Sequence, residues 1–330
     1  MKKIFTILVL ISLYNITLAQ DVHLSQYYTS NLSLNPAQTG NYKGDVRAVL
    51  NYRSQWKQVV EPITTAMFSI EKRIPLMNNI FGLGFIAMND RLSTYGLQNN
   101  KLYLSGSYSR KIDKNIIGIG LQGGYVMRSM NTNGQTFPGQ WDYSTGNFDP
   151  NKPNNEATFK DIGFLDINTG LNYTRQINSK KSWSVGYALF NVNNPVYGFT
   201  GAKEKLPFRH VTNANVNLPI ASGLSLKPHF LYMTTVGASN IILGANALKT
   251  INTDLAILLG LAMRGGTVNG DAAIAVIGAN YKRFEFGFSF DFNMSELSKD
   301  TPRKSVWEIS LVYTTPSTEV SKSTINCDRY

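Results

Sequence analysis

The sequence predicts an all-β fold, a single transmembrane antiparallel up-and-down β-barrel of about fourteen strands preceded by a plug-like N-terminal segment. Three observations predict it. The chain opens with an export leader, most of the remainder alternates with period two, and its connections sort into short turns on one side and longer loops on the other.

The leader comes first in the chain. Lys2 and Lys3 precede an apolar, uncharged stretch from Ile4 to Leu18, and small Ala19 stands just before Gln20 and Asp21. That is the layout of a signal peptide. About fifteen apolar residues, interrupted by Ser12, Asn15 and Thr17, fall short of the roughly twenty that a helix needs to span a bilayer. Cleavage after Ala19 is expected. Lipidation of the new N-terminus would need a cysteine there, and the single cysteine is Cys327. One cysteine also makes no internal disulfide, so the fold must be held together by packing and hydrogen bonding. The expected divisions are a signal peptide over 1–19, an N-terminal segment over 20–43 that lies in or beneath the barrel, the barrel over 44–315, and a C-terminal tail over 316–330.

Past the N-terminal segment, stretches of ten to fourteen residues alternate apolar with polar between clusters of Gly, Asn, Asp, Pro or Lys. Phe284, Phe286, Phe288, Phe290 and Phe292 share one face, with Glu285, Gly287, Ser289, Asp291 and Asn293 opposite. Ile117, Ile119, Leu121, Tyr125 and Met127 oppose Gly118, Gly120, Gln122, Gly124 and Arg128 in the same way. Trp307, Ile309, Leu311 and Tyr313 repeat the pattern near the C-terminus. The strands are expected to begin near Val46, Thr64, Phe81, Leu97, Ile116, Ile162, Trp183, Phe208, Leu224, Asn240, Asp254, Asp271, Phe284 and Val306.

Alternation alone also suits a soluble sandwich, whose polar face meets water. The connections discriminate. Those after even-numbered strands, such as 73–79, 111–115 and 281–283, are all short, whereas 130–161, 192–207 and 294–305 are long and fall on the other side. An even strand count with segregated turns and loops marks a bacterial outer-membrane barrel with both termini in the periplasm. Charge on the lipid face costs about 2–4 kcal/mol at the midplane, so Arg47, Asn51, Arg53, Lys72, Glu285 and Asp291 are assigned to the lumen. Bulky inward groups such as Arg47, Arg53, Gln122 and Arg128 are expected to make the barrel a poor conductor.

Formal net charge is +11, and loss of Lys2 and Lys3 with the leader leaves +9. The basic residues are scattered along the chain without a basic helix or a nucleic-acid-binding motif, so no nucleic-acid partner is expected. The three histidines, His23, His210 and His229, do not make a metal site, since His210 and His229 have opposite strand parity. HExxH, CxxC, GxSxG and P-loop patterns are missing, and with them the groups for hydrolysis, acyl transfer or nucleotide chemistry. Asp142 and Asp149 lie in a loop that lacks EF-hand spacing and reads as a solvated turn. Neither an enzymatic activity nor a cofactor or metal is expected.

Specific residues go further than composition. His23-Leu24-Ser25-Gln26-Tyr27-Tyr28 is followed by Asn35-Pro36-Ala37-Gln38-Thr39-Gly40 and then by Tyr52-Arg53-Ser54-Gln55-Trp56. In the second half stand Leu206-Pro207-Phe208-Arg209, Gly270-Asp271-Ala272, Phe290-Asp291-Phe292-Asn293-Met294-Ser295 and Trp307-Glu308-Ile309-Ser310-Leu311. This ordered set resembles the PorP/SprF family of Bacteroidetes type IX secretion membrane proteins. The tail Cys327-Asp328-Arg329-Tyr330 is similar to the family's terminal Cys-Pro-Arg-Phe with two positions changed. The resemblance implies a non-enzymatic barrel of the secretion and gliding apparatus, with outer-membrane lipid around it. Its implied partners are a secreted surface protein of adhesin type and other type IX components. The long loops 130–161, carrying Phe137, Trp141, Tyr143, Phe148 and Phe159, and 192–207 are the expected partner contact, because aromatic anchors concentrate binding energy at interfaces. The alternative is a passive channel for hydrophobic small molecules, similar to the long-chain fatty-acid transporters, which share the strand number and an Asn-Pro-Ala plug.

Overall fold

The computed structural model describes residues 24–55, 62–92, 96–131, 136–152, 161–198, 203–267, 272–294 and 306–318. The signal-peptide stretch, His23, Trp56, Phe159, Ser295 and Cys327 lie outside the described residues. Among the described residues sixteen strands follow one another: β1 (Val46–Gln55), β2 (Ile63–Leu76), β3 (Asn79–Leu92), β4 (Leu97–Ile112), β5 (Asn115–Met130), β6 (Trp141–Asp142), β7 (Asn147–Phe148), β8 (Ile162–Gln176), β9 (Ser182–Phe190), β10 (Arg209–Ala221), β11 (Leu224–Thr235), β12 (Ala238–Thr250), β13 (Leu255–Gly266), β14 (Ala272–Tyr281), β15 (Phe284–Asn293) and β16 (Val306–Thr314).

All but β6 and β7 join one closed barrel of fourteen strands, in which each strand pairs antiparallel with its neighbour and β1 closes on β16. Closure leaves no open edge, which is what a hydrocarbon surround demands of backbone N–H and C=O groups. Strands β6 and β7 form a separate two-stranded hairpin in the long connection between β5 and β8.

One rim is closed by tight turns. Met77-Asn78, Asp113-Lys114 and Lys282-Arg283 each join two strands, and Met77, Asp113 and Lys282 take up positive φ of 56°, 52° and 55°. At the opposite rim lie the long connections, although Val236-Gly237 joins β11 to β12 there in only two residues.

Alternation puts Phe68, Ile70, Leu83, Leu104, Ile119, Leu121, Leu261 and Phe288 on the exposed outer face. The inner face is mixed. Met67, Ile86, Phe190, Val211, Leu231, Ile242 and Ile274 point inward and are buried together with Leu24, Tyr27, Leu32 and Leu34 of the N-terminal segment. The lumen therefore holds an apolar core of its own. One parity assignment is overturned: Lys72 is exposed and shares the outer face with Phe68 and Ile70, and Glu71 is the buried inward residue. Lys72 sits near the end of its strand at the short-turn rim, where a long cationic side chain can reach the headgroups and the lipid-face penalty is small.

The N-terminal segment runs down the lumen from the long-loop half towards the short-turn rim, through a 3-10 turn (Tyr27–Thr29), a single α-helical turn (Asn31–Leu34) and a second 3-10 turn (Pro36–Gln38). Asn35 is extended, as the residue before proline should be, and its side chain caps the second turn by accepting from the Ala37 backbone N–H at 2.9 Å. The wall beneath this turn is built from inward glycines. A Cβ on Gly120 would collide with Pro36 and Ala37, one on Gly82 with Thr39, and one on Gly170 with the Asn35 side chain.

A Gly120→Leu substitution is therefore expected to leave the outer wall intact but unseat the segment, at a cost of about 1–3 kcal/mol for overpacking. New protease sensitivity within residues 24–42 of the assembled barrel checks this. Gly123→Leu, on the outer face where a Cβ meets nothing within 4 Å, should change nothing.

Candidate functional site

The segment is held by three sets of contacts along its length. The first is a buried charge cluster in the long-loop half of the barrel. Arg53 and Glu308 are direct cross-strand partners on β1 and β16, and Asp291 and Arg264 reach the same point from β15 and β13. Arg264 Nη1 donates to Asp291 Oδ2 at 2.7 Å, and Arg53 lies 3.3 Å from Asp291 and 3.2 Å from Glu308. Two cations balance two carboxylates, so no net charge is buried. Ser25 completes the cluster. Its hydroxyl donates to Asp291 and accepts from Arg264 at 2.6 Å and from Arg53.

The backbone closes this cluster. Glu308 accepts from the Ser25 and Gln26 backbone N–H groups at 2.8 and 3.0 Å, and the Gln26 side chain donates to the Glu308 carbonyl at 3.0 Å and accepts from the Ser310 hydroxyl at 2.8 Å. A carboxylate that accepts backbone N–H groups fixes the position of the chain, not only of a side chain.

The second set lies at mid-lumen, where the Tyr27 hydroxyl and His229 Nδ1 are 2.8 Å apart and the rings of Tyr27, Tyr28 and His229 pack at centroid distances of 5.0–5.7 Å. The third set anchors the lower turn. Asn35 Nδ2 donates to the Leu171 carbonyl at 2.9 Å, the Thr39 and Ser105 hydroxyls are 2.7 Å apart, and Gly40 N donates to Glu71 Oε2 at 2.8 Å. Gly40 has φ of 71°, and Glu71 also takes Arg47 at 2.5 Å.

The structure thus brings Ser25, Gln26, Arg53 and Asp291 together and places Tyr27, Asn35, Pro36, Ala37 and Gly40 along the same segment. It does not bring in Tyr52, which is exposed on the outer face against Trp307 at 5.4 Å, or Gln55 and Asn293, which stand at strand ends on the long-loop rim. Arg264 and Glu71 belong to the site without having been named from the sequence, whereas Glu308 was read there only as part of a motif and His229 only as a histidine without metal partners. For Arg264 the signal was a lone charged group at inward parity after the apolar run Leu-Leu-Gly-Leu-Ala-Met over 258–263.

Cavities flank the segment. One of about 360 Å³ opens beside Tyr28, Ser184, Asn217, His229 and Glu285 towards the short turns. Another of about 170 Å³ lies among Leu97, Tyr103, Phe164, Leu206 and Arg209 on the long-loop side.

The four aromatics proposed for partner contact sit in or next to the β6–β7 hairpin. Trp141 packs on Phe148 at 4.9 Å, Phe137 is half-buried, and Tyr143 at the tip is 91% exposed. The tip is an Asx-type turn. The hydroxyl and backbone N–H of Ser144 donate to Asp142 and, with Lys152 at 3.4 Å, pull its carboxyl down to about 2.

Replacing Arg264 with Met would leave Asp291 and Glu308 sharing one cation, an uncompensated buried charge worth about 3–5 kcal/mol. The temperature at which the folded, fast-migrating band is lost on gels should fall accordingly. Arg264→Met with Asp291→Leu should recover more than half of the loss.

The chain matches the model of the type IX secretion system membrane protein PorP/SprF family over residues 16–313. No curated protein matches it. Among solved structures it is similar to the CymD monoaromatic hydrocarbon channel, with a TM-score of 0.53, 10% identity and coverage of 87% of this chain and 93% of that one. A Pseudomonas aeruginosa FadL homologue matches with a TM-score of 0.50, 12% identity and coverage of 84% and 92%. At such identities these two likenesses speak for the fold alone. The family match spans nearly all of the barrel and the segment within it, and by it this outer-membrane β-barrel belongs to the PorP/SprF family of type IX secretion system membrane proteins.

Proposed function

We propose that this chain is a non-enzymatic, plugged barrel of the type IX secretion and gliding machinery that assists export or surface retention of one partner protein of adhesin type. The observation that carries this reading is the use made of the family motifs. Ser25, Gln26, Arg53 and Asp291 lock the N-terminal segment in the lumen, and Asn35 to Gly40 seat its lower turn. Residues that hold a plug do not form a reactive centre, and a filled lumen moves the work to the rims. The barrel wall begins at β1 and ends at β16 beside the short turns, the periplasmic side in other outer-membrane barrels, while Leu24 at the head of the segment lies in the long-loop half of the lumen.

At the long-loop rim the β6–β7 hairpin divides its labour. Trp141 and Phe148 brace each other, and Tyr143 is the anchor left exposed at the tip. Tyr143→Ala together with Phe137→Ala is expected to lower the amount of the partner adhesin on the cell surface several-fold while the barrel's own level stays constant. Immunolabelling of intact cells checks it, and normal display would remove this loop from the contact surface.

A second reading, a passive channel for hydrophobic small molecules, draws on the cavity at the long-loop side and on a smaller one of about 50 Å³ lined by Leu24, Leu34, Ile86, Phe190 and Leu231. CymD, which is similar in fold, is a monoaromatic hydrocarbon channel. The buried segment argues for low conductance instead. In planar bilayers the intact protein should show no large stable openings, and their appearance would overturn the plugged reading.

A further inference from the structure

Folding gathers the scattered basic residues. Among the described residues, Lys72, Arg110, Arg175, Lys249, Lys282 and Arg283 all stand at the short-turn rim and are exposed. The first four have outer-face parity at the ends of β2, β4, β8 and β12, and the last two form the β14–β15 turn. No described carboxylate lies within ion-pair distance of any of them, although Asp45, Asp113 and Asp254 share the rim.

An aromatic belt accompanies these cations. Phe81 and Tyr108 pair at 5.3 Å, Tyr173 and Trp183 at 5.2 Å, and Phe284 and Tyr313 at 4.9 Å, all on the outer face. On β4 and β8 the order is fixed by the strand itself. Tyr108 is followed two residues later on the same face by Arg110, and Tyr173 by Arg175, a step of about 6.6 Å towards the rim. At β14–β15 the two residue types converge in an open cleft lined by Tyr281, Lys282, Arg283, Phe284 and Tyr313, with Lys282 Nζ 5.3 Å from the Tyr281 ring centre.

On the long-loop rim the outward positions two residues beyond Tyr52, Tyr125 and Phe292 are Ser54, Met127 and Met294, and Arg91 is an outward cation there. Among the described residues, the order of aromatic ring and then cation on the outer face is therefore found at the short-turn rim.

We propose that the short-turn rim is a collar for anionic phospholipid headgroups, with the cleft at Lys282 and Arg283 as its best-formed seat for a lipid phosphate. Aromatic side chains settle at the depth of the membrane interface, so cations one step further out on the same face stand at the depth of the phosphates. The outer-face parity of Lys72, Arg110, Arg175 and Lys249 selects lipid over a soluble acidic protein, which would dock from below and meet only turn residues such as Lys282 and Arg283. Each basic residue close to an anionic lipid surface contributes roughly a five-fold gain in association, screened by salt. The collar therefore ties the barrel's depth and lipid surroundings to one leaflet and does not depend on which partner protein is served.

Native mass spectrometry of the full-length protein released from nanodiscs of mixed dioleoylphosphatidylglycerol and dioleoylphosphatidylcholine tests the collar. The unsubstituted protein should retain the anionic phosphatidylglycerol in excess of its bulk share, and rising salt should erase that excess. Arg110→Gln/Arg175→Gln/Lys282→Gln/Arg283→Gln should lower the retained phosphatidylglycerol by at least about ten-fold, with Lys203→Gln/Lys205→Gln at the other rim leaving it unchanged. Retention in the bulk ratio, an excess indifferent to salt, or an undiminished excess in the folded rim variant would each overturn the proposal. The salt series on the unsubstituted protein decides the matter even if the rim variant does not assemble.

Discussion

A fourteen-strand barrel encloses more space than its inward side chains can fill. Eight strands close around a lumen that side chains pack, and diameter grows roughly linearly with strand number. Closure itself follows from the hydrocarbon surround, in which every backbone donor and acceptor of the wall must find a partner within the wall. The closed sheet then leaves a cylinder to be occupied by water or by protein, and here residues 24–42 occupy it. Much of the interior makes sense only in relation to that segment: inward glycines where it approaches the wall, inward apolar residues where Leu24, Leu32 and Leu34 need cover, and inward charges where its backbone needs an acceptor.

The charge cluster answers a difficulty that the filled lumen creates. Once Leu24 to Thr39 are buried, their polar backbone groups lose water and must be matched, since an unmatched buried donor costs about 1–3 kcal/mol. Glu308 takes two of them, but a buried carboxylate needs its own compensation. Arg53 opposite, then Asp291, then Arg264 follow until the account balances electrostatically. The lower turn uses neutral partners instead, with Asn35 and the serine and threonine hydroxyls, and a single carboxylate at Glu71 shared between Gly40 and Arg47. A lock with charges at one end and small polar groups at the other positions the segment in register as well as in depth.

The wall's two faces obey different rules at different heights. On the outside, apolar residues run the length of the strands and give way at the short turns to aromatic rings and then cations. Inside, no such gradient exists, because the lumen's composition follows the plug and not the bilayer. That independence is why Lys72 was misplaced on sequence grounds. Polar residues were assigned inward on the assumption that the lipid face excludes charge, which holds at the midplane and fails within a turn of the headgroups.

The sequence by itself determined the barrel, its strand number, the segregation of short turns from long loops and the family, because period-two alternation and turn chemistry are local and the motifs are contiguous. Strand starts at Val46, Leu97, Ile162, Leu224 and Phe284 were legible to within a residue or so. What only the tertiary structure decided is which residues meet. Ser25 and Glu308 are separated by 283 positions and Arg264 and Ser25 by 239, and nothing local links them until closure brings β1 against β16 with β13 nearby. The Ile-Gly-Ile-Gly pattern of β5 could be read as alternation but not as the bed of Pro36, since a glycine's missing side chain shows its purpose only when another backbone fills the space. The basic rim was hidden for the same reason: its cations stand far apart along the chain, and only the circular order of the strands places them on one edge.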